Sequence, residues 1–257
     1  MKISLLQWDT VWEDPQANFN VVKRLLDNAC AQDRPDLVCL PELFATGFTM
    51  NVEELAEPPQ GPTYQFLSKI ADQYDIYLQG SAIRQAGKRG QNMAYIFSPD
   101  GNEIAQYAKI HPFSFADEDQ YYEPGQDVVT VDILGFTICP VICYDLRFPS
   151  MFQKAVQKGA DVFLIPANWP SPRLDHWQTL LRARAIENQS YVAAINRTGH
   201  GNDLDYPGHS TLIDPWGKTI EELQDEEGCL TEQVTKSRLN EIRSSYPFLQ
   251  DMRFDIQ

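Results

Sequence analysis

The chain of 257 residues carries 36 acidic against 21 basic side chains, a formal net charge of −15, with 43% hydrophobic and 11% aromatic residues. An acidic coat of that size repels phosphate backbones and anionic lipid, so nucleic acid and membrane surfaces are excluded as expected partners, and the apolar content excludes a disordered chain. No Gly/Ser-rich or charge-run linker divides it, which predicts one domain over residues 1–257 with a C-terminal tail from about residue 236.

In chain order, short β-branched and aromatic runs predict strands at Ile3–Leu6, Leu37–Leu40, Ile76–Gly80, Ala94–Phe97, Phe136–Ile142, Val162–Ile165, Tyr191–Ile195 and Thr211–Ile213. Between them, Gln16–Cys30 carries Phe19, Val22, Leu25 and Leu26 at helical spacing, and Leu174–Asn188 carries Trp177, Leu180, Leu181 and Ile186. The opening MKISLLQWDTVWED has no apolar run long enough for a signal peptide, and no stretch approaches the roughly 18 apolar residues of a membrane span. The five cysteines, Cys30, Cys39, Cys139, Cys143 and Cys229, are odd in number and form no C-x-x-C pair, which predicts a reducing, cytoplasmic home.

The two halves repeat one another. Asp36-Leu-Val-Cys-Leu-Pro41 matches Asp161-Val-Phe-Leu-Ile-Pro166, Asp75–Gly80 matches Ser190–Ile195, and Ile96–Ile104 matches Leu212–Ile220, in the same order. In the last pair, Pro-x-Gly between two short strands reads as a hairpin turn, Pro fixing φ and Gly supplying the permissive position. Two related sheets, each covered by helices, would bury their open faces against each other, so the predicted fold class is α/β, a four-layer α-β-β-α sandwich with an internal pseudo-repeat.

Common catalytic signatures are missing: there is no G-x-S-x-G, no G-x-x-x-x-G-K-[ST] and no H-E-x-x-H. Gly199-His-Gly201 begins like a dinucleotide fingerprint, but Leu204 stands where its third glycine belongs. His111, His176, His200 and His209 are scattered without metal spacing, so neither a metal nor an organic cofactor is expected. What remains is three reactive residue types at predicted strand ends: Glu42 after Asp36–Pro41, Lys109 after Glu103–Ala108, and Cys143 after Phe136–Ile142. Singly, such a Glu or Lys is ordinarily solvated and a Cys ordinarily a small core residue. Together they supply a base, a cation and a nucleophile, and a strand-to-helix turn is where backbone N–H groups can stabilise negative charge.

Pro41-Glu42, Tyr107-Ala-Lys109-Ile-His111 and Val141-Ile-Cys143-Tyr-Asp-Leu-Arg-Phe-Pro149 resemble the three signature blocks of the nitrilase, or carbon-nitrogen hydrolase, superfamily, with the likeness running from Met1 to about Val234. The resemblance implies the α-β-β-α sandwich and a Glu-Lys-Cys triad of Glu42, Lys109 and Cys143, with Glu118 at the place of a second glutamate that positions substrate and catalytic groups. It implies attack of Cys143 on an amide carbonyl, an oxyanion held by Lys109 and the N–H of Tyr144, and a thioester hydrolysed by water, with no cofactor.

Nitriles, primary amides and ureido acids are all handled on this scaffold, so the fold alone does not choose the substrate. Ala167-Asn-Trp-Pro-Ser-Pro-Arg173, His176-Trp-Gln and Arg182-Ala-Arg-Ala-Ile-Glu-Asn188 resemble the omega-amidase branch, which implies 2-oxoglutaramate or 2-oxosuccinamate as substrate. Arg173 would grip the substrate carboxylate, with Tyr144, Asn168 and Trp169 beside it. Arg182, Arg184 and Glu187 read as helix-surface pairs or as a stripe facing a second subunit, and a homodimer is expected. The alternatives are an N-carbamoyl amino acid amidohydrolase, a nitrilase, or a non-catalytic binding protein on the same fold.

Overall fold

Side-chain alternation decides the layering. In Leu37-Val-Cys-Leu40, Leu37 and Cys39 belong to one buried cluster and Val38 and Leu40 to another, as expected where successive residues of a strand point to opposite faces. The computed structural model describes residues 1–253; Phe254, part of the predicted tail, lies outside them. The first half contributes strands β1 (Lys2–Gln7), β2 (Leu37–Cys39), β3 (Tyr77–Ala86), β4 (Arg89–Phe97) and β5 (Glu103–Ala108). The second contributes β6 (Val131–Ile133), β7 (Phe136–Pro140), β8 (Val162–Ala167), β9 (Tyr191–Asn196), β10 (Thr198–Gly201), β11 (Leu204–Pro207), β12 (Thr211–Ile213), β13 (Thr219–Glu222) and β14 (Gly228–Gln233). The helices are α1 (Pro15–Asp33), α2 (Val52–Leu55), α3 (Pro62–Tyr74), α4 (Glu118–Tyr121), α5 (Pro149–Gln157), α6 (Leu174–Asn188) and α7 (Lys236–Ser245).

Two six-stranded sheets result, ordered β14-β1-β2-β3-β4-β5 and β13-β12-β9-β8-β7-β6. The repeat is therefore real in three dimensions: β1-β2-β3 and β7-β8-β9 are parallel, and β4-β5 and β12-β13 continue each sheet antiparallel. Even single bonds recur. The Asp36 carboxylate accepts the Lys2 N–H at 2.7 Å and the Asp161 carboxylate the Thr137 N–H at 2.9 Å, which ties each buried strand to its neighbour. Both Pro-x-Gly turns form, with Gly101 at φ 72° and Gly217 at φ 81°, the left-handed region that glycine enters without a Cβ penalty.

Ile3, Leu5 and Ile96 of the first sheet meet Ile138, Leu164 and Ile195 of the second between the sheets. The outer face of the first packs on Phe19, Val22 and Leu26 of α1 and Leu67 and Ile70 of α3, and that of the second on Phe152 of α5 and Trp177 and Leu181 of α6. The predicted four-layer sandwich is the observed one. Each such side chain contributes on the order of 2 kcal/mol when fully buried. Helix α1 starts one residue earlier than predicted, with Pro15 in its first turn and the Asp14 carboxylate accepting the Ala17 N–H at 3.0 Å. In α6 the buried stripe runs Trp177, Leu181, Arg184, Ala185 and Asn188, which leaves the predicted core residue Ile186 off the stripe and 51% exposed. Among the described residues no helix is long and apolar enough to cross a membrane.

Because the central strands of each sheet are parallel, their C-terminal ends share one edge, where ligands bind in open α/β sheets. Glu42 follows β2, Lys109 follows β5, Cys143 follows β7 and Asn168 follows β8.

Candidate active site

Glu42, Lys109 and Cys143, predicted from three distant segments, line one cavity, together with the four predicted substrate-binding residues Tyr144, Asn168, Trp169 and Arg173. The site spans both sheets: Glu42 and Lys109 come from the first, and Cys143 and the Asn168–Arg173 loop from the second. The pseudo-repeat sets the two halves face to face, which brings the strand ends of both sheets to one cavity.

Glu42 is completely buried, and its carboxylate is saturated with donors. Oε1 accepts from Lys109 Nζ at 2.9 Å and from Asn92 Nδ2 at 2.8 Å, and Oε2 from the Asn168 N–H at 3.0 Å. Asn168 also donates Nδ2 to the Glu42 carbonyl at 2.6 Å, so it holds Glu42 in place as well as lining the cavity. Lys109, 2% exposed, reaches past Glu42 to the Glu118 carboxylate at 2.8 and 3.0 Å. An ammonium has three donors, and Lys109 meets three carboxylate oxygens with them, so it brings a fixed positive charge to the cavity wall.

Glu118 is the first residue of α4 and fully buried, rather than part of a solvated acidic loop. Its Oε2 also accepts the Phe113 N–H at 2.5 Å. It stands behind the cavity wall, in contact with Lys109, Asn92 and the Phe113 N–H. Burial alone would pull the Lys109 ammonium down, but the charges of Glu118 and Glu42 hold it well above the usual lysine range. Burial, then the neighbouring Glu42 charge, push Glu118 up against the pull of Lys109.

Cys143 opens a turn at Cys143–Arg147 with φ 45°, an uncommon conformation for a residue with a Cβ. Such backbone persists only where its surroundings over-determine it, at a cost of order 1–3 kcal/mol. Here the buried Asp145 carboxylate accepts the Ile142 N–H at 3.2 Å, the Tyr107 hydroxyl at 2.7 Å and the His111 N–H at 2.9 Å. Arg184 donates twice to the Leu146 carbonyl, at 2.8 and 3.0 Å. The predicted surface pair Arg184–Glu187 does form, at 2.7 Å, but Arg184 is 4% exposed and braces the nucleophile turn.

Burial, reinforced by the Glu42 charge, pushes the Cys143 thiol well above its ordinary range despite the Lys109 charge. Both the burial and the Glu42 carboxylate beside it favour the protonated thiol. Alkylation of Cys143 by iodoacetamide should rise with pH through pH 9, with no plateau on the acid side. A fast, pH-independent rate near pH 6 would mean a preformed thiolate.

Arg173 and Arg147 bring guanidinium groups to the cavity wall, over the Phe113 ring at 5.2 Å and the Trp169 ring at 4.8 Å. Neither has a carboxylate partner among the described residues. Of the charged side chains lining the cavity, Lys109, Arg147 and Arg173 are cations and Glu42 alone is an anion, inside a chain of net charge −15. A locally basic site in an acidic coat is what the sequence leads one to expect. Sequence reasoning missed Asn92, Asp145, Arg147 and Arg184 as site residues. Asp145 and Arg147 stood inside a recognised block with no role assigned, and Asn92 on β4 has no spacing signal at all. Among the described residues no three His, Cys, Asp or Glu side chains converge as a metal site.

Residues 2–244 match the family model for carbon-nitrogen hydrolases. The chain is 37% identical over 256 residues to the 2-oxoglutaramate amidase of Bacillus subtilis (strain 168), covering 99% of this chain and 98% of that one. It is 36% identical over 253 residues to Omega-amidase YafV of Escherichia coli (strain K12), covering 98% and 96%. Among solved structures, XC1258 of Xanthomonas campestris, a CN-hydrolase superfamily protein, superposes with a TM-score of 0.94 at 36% identity, covering 100% of this chain and 98% of that one.

Proposed function

The chain belongs to the carbon-nitrogen hydrolase family, and we propose that it hydrolyses the terminal amide of short 2-oxo dicarboxylic acid monoamides, 2-oxoglutaramate and 2-oxosuccinamate, to the acid and ammonia. The observation that carries this reading is the meeting of Glu42, Lys109 and Cys143 in one cavity with two guanidinium groups that have no carboxylate partner. An amide with a free carboxylate at its other end satisfies both halves. The relatives named 2-oxoglutaramate amidase and omega-amidase support the same choice.

In this reading Glu42 takes the thiol proton as Cys143 attacks the amide carbon. The oxyanion is held by the positive charge of Lys109 and the N–H of Tyr144, and loss of one such donor typically costs about 3 kcal/mol. Glu42 then gives its proton to the leaving ammonia, takes one from the water that hydrolyses the thioester, and returns it to the departing Cys143 sulfur. Atoms balance as amide plus water to acid plus ammonia. Asn92, Asn168 and Glu118 keep base and cation in register, and no cofactor takes part.

Ammonia release from 2-oxoglutaramate, 2-oxosuccinamate, glutamine, asparagine, a carbamoyl amino acid and a simple nitrile tests the substrate. Preference for either of the last two would replace this reading with another chemistry of the family. Arg173→Ala is expected to raise KM for the 2-oxo acid amides about tenfold or more while sparing amides without a carboxylate, since a charged hydrogen bond is worth roughly 1.5–3 kcal/mol. Equal losses on both classes would make Arg173 structural.

The five free cysteines support a reducing, cytoplasmic home. We also propose a homodimer. Ile186, Trp216, Tyr246 and Phe248 are all exposed, and the Trp216 and Tyr246 rings lie 4.4 Å apart, an apolar surface suited to a second copy. A sedimentation run showing only monomer at micromolar concentration would remove that assembly.

A further inference from the structure

The sequence reading set aside Gly199-His-Gly201 as a failed fingerprint; in the fold it begins a two-stranded ribbon, β10–β11, that the sandwich itself does not need. Asn202 and Asp203 form its tip, both at positive φ (50° and 58°), the conformation of a two-residue hairpin turn. Its base is fixed across the two sheets. The Thr198 N–H donates to the Trp8 carbonyl at 3.1 Å, beyond the end of β1, while Thr198 itself follows β9.

Alternation along β11 sends Leu204 and Tyr206 to one face and Asp205 to the other. Leu204 and Tyr206 line the catalytic cavity, and Asp205 sits outside, paired with His200. Tyr206 is 5% exposed, yet its hydroxyl has no hydrogen-bond partner among the described residues, and it lies close enough to Cys143, Glu42 and Arg173 for their charges to act on it. Burial pushes its phenol up to about 12, so it remains a proton donor throughout the neutral range.

The ring is braced from behind. Arg197 is fully buried, with its guanidinium 4.5 Å from the centre of the Tyr206 ring. It donates to Asp9 at 2.5 Å, to the Thr10 carbonyl at 3.1 Å and to the His200 carbonyl at 2.9 Å. A guanidinium whose Nη2 is bonded to two separate segments, Asp9–Thr10 and His200, leaves the ring it stacks on little freedom.

We propose that Tyr206 is a substrate-contacting residue that donates its hydroxyl to the 2-oxo oxygen, and that Arg197 is the positioning residue that aims it. The division of labour follows from charge. The guanidinium groups suit the carboxylate, and a single neutral donor suits a ketone oxygen. A cavity that offers this donor favours a 2-oxo acid amide over the same amide with a methylene in that place, because the methylene gives the hydroxyl no acceptor. The inference rests on the amidase reading above and adds which atom of the substrate the β10–β11 ribbon recognises.

The test compares 2-oxoglutaramate with glutaramate, which differs only in lacking the oxo oxygen, for the native chain, Tyr206→Phe and Arg197→Lys. Tyr206→Phe keeps the ring on Arg197 and should fold normally. It is expected to lower kcat/KM for 2-oxoglutaramate about five- to tenfold, mainly through KM, and to leave glutaramate within about twofold. Arg197→Lys should move the same ratio in the same direction; if that variant fails to fold, Tyr206→Phe decides alone. Equal losses on both substrates, or no loss on either, would overturn the assignment and leave the amidase reading standing. If the native chain does not turn over 2-oxoglutaramate, both fall together.

Discussion

Replacement of Cys143 with alanine is expected to lower ammonia release from 2-oxoglutaramate by at least about 10⁴-fold, to the level left by binding and the oxyanion donors alone. The size follows from the site. Without a sulfur there is no atom on which to form the acyl intermediate, and the remaining groups are a saturated carboxylate and an ammonium. The variant should fold. Alanine keeps the Cβ at φ 45°, and the bonds from Asp145 and Arg184 that hold the turn do not involve the thiol. An unchanged thermal melting curve with lost activity separates chemistry from stability, whereas a variant retaining more than a few per cent of native turnover would remove Cys143 from the reaction.

Glu42→Gln is the second large effect, a loss of about 10³- to 10⁴-fold in kcat. General acid-base catalysis contributes typically 10²–10⁴-fold per step, and here one carboxylate serves four transfers: thiol to base, base to ammonia, water to base and base back to the sulfur. Glutamine preserves the shape, and Lys109 keeps its ion pair with Glu118 at 2.8 Å. Breaking one side of a buried ion pair still costs stability, typically a few kcal/mol, so the melting temperature should fall while the fold persists. KM should move far less than kcat, because Glu42 acts on protons in transit. An equal loss in both would mean that Glu42 holds the substrate instead.

Much of this site was legible before the fold was known. Asp36–Pro41 and Asp161–Pro166 announce the pseudo-repeat because a strand buried on both faces has to be apolar throughout, and a polar residue just past its end has to emerge at the sheet edge. The Pro-x-Gly turns were legible for the same local reason. Helix α3 was readable but went unread: Gly61-Pro62 is a helix start, and Leu67, Ile70 and Ala71 share its buried face. Other parts were not local. Arg184 looks like a surface charge on α6 until the Leu146 carbonyl arrives from another segment, and Asn92 matters only because β4, one strand beyond β3, brings it to the Glu42 carboxylate past the end of β2. The β10–β11 ribbon was missed because its strands are four residues each, too short for alternation to stand out.

The covalent step is the centre of the account. Native enzyme mixed with excess 2-oxoglutaramate, quenched in acid during turnover and weighed as the intact chain, should show an adduct equal to the substrate less ammonia. Peptide mapping should place that adduct on Cys143, and Cys143→Ala should carry none. Unmodified enzyme throughout turnover, with Cys143→Ala still releasing ammonia, would contradict the account.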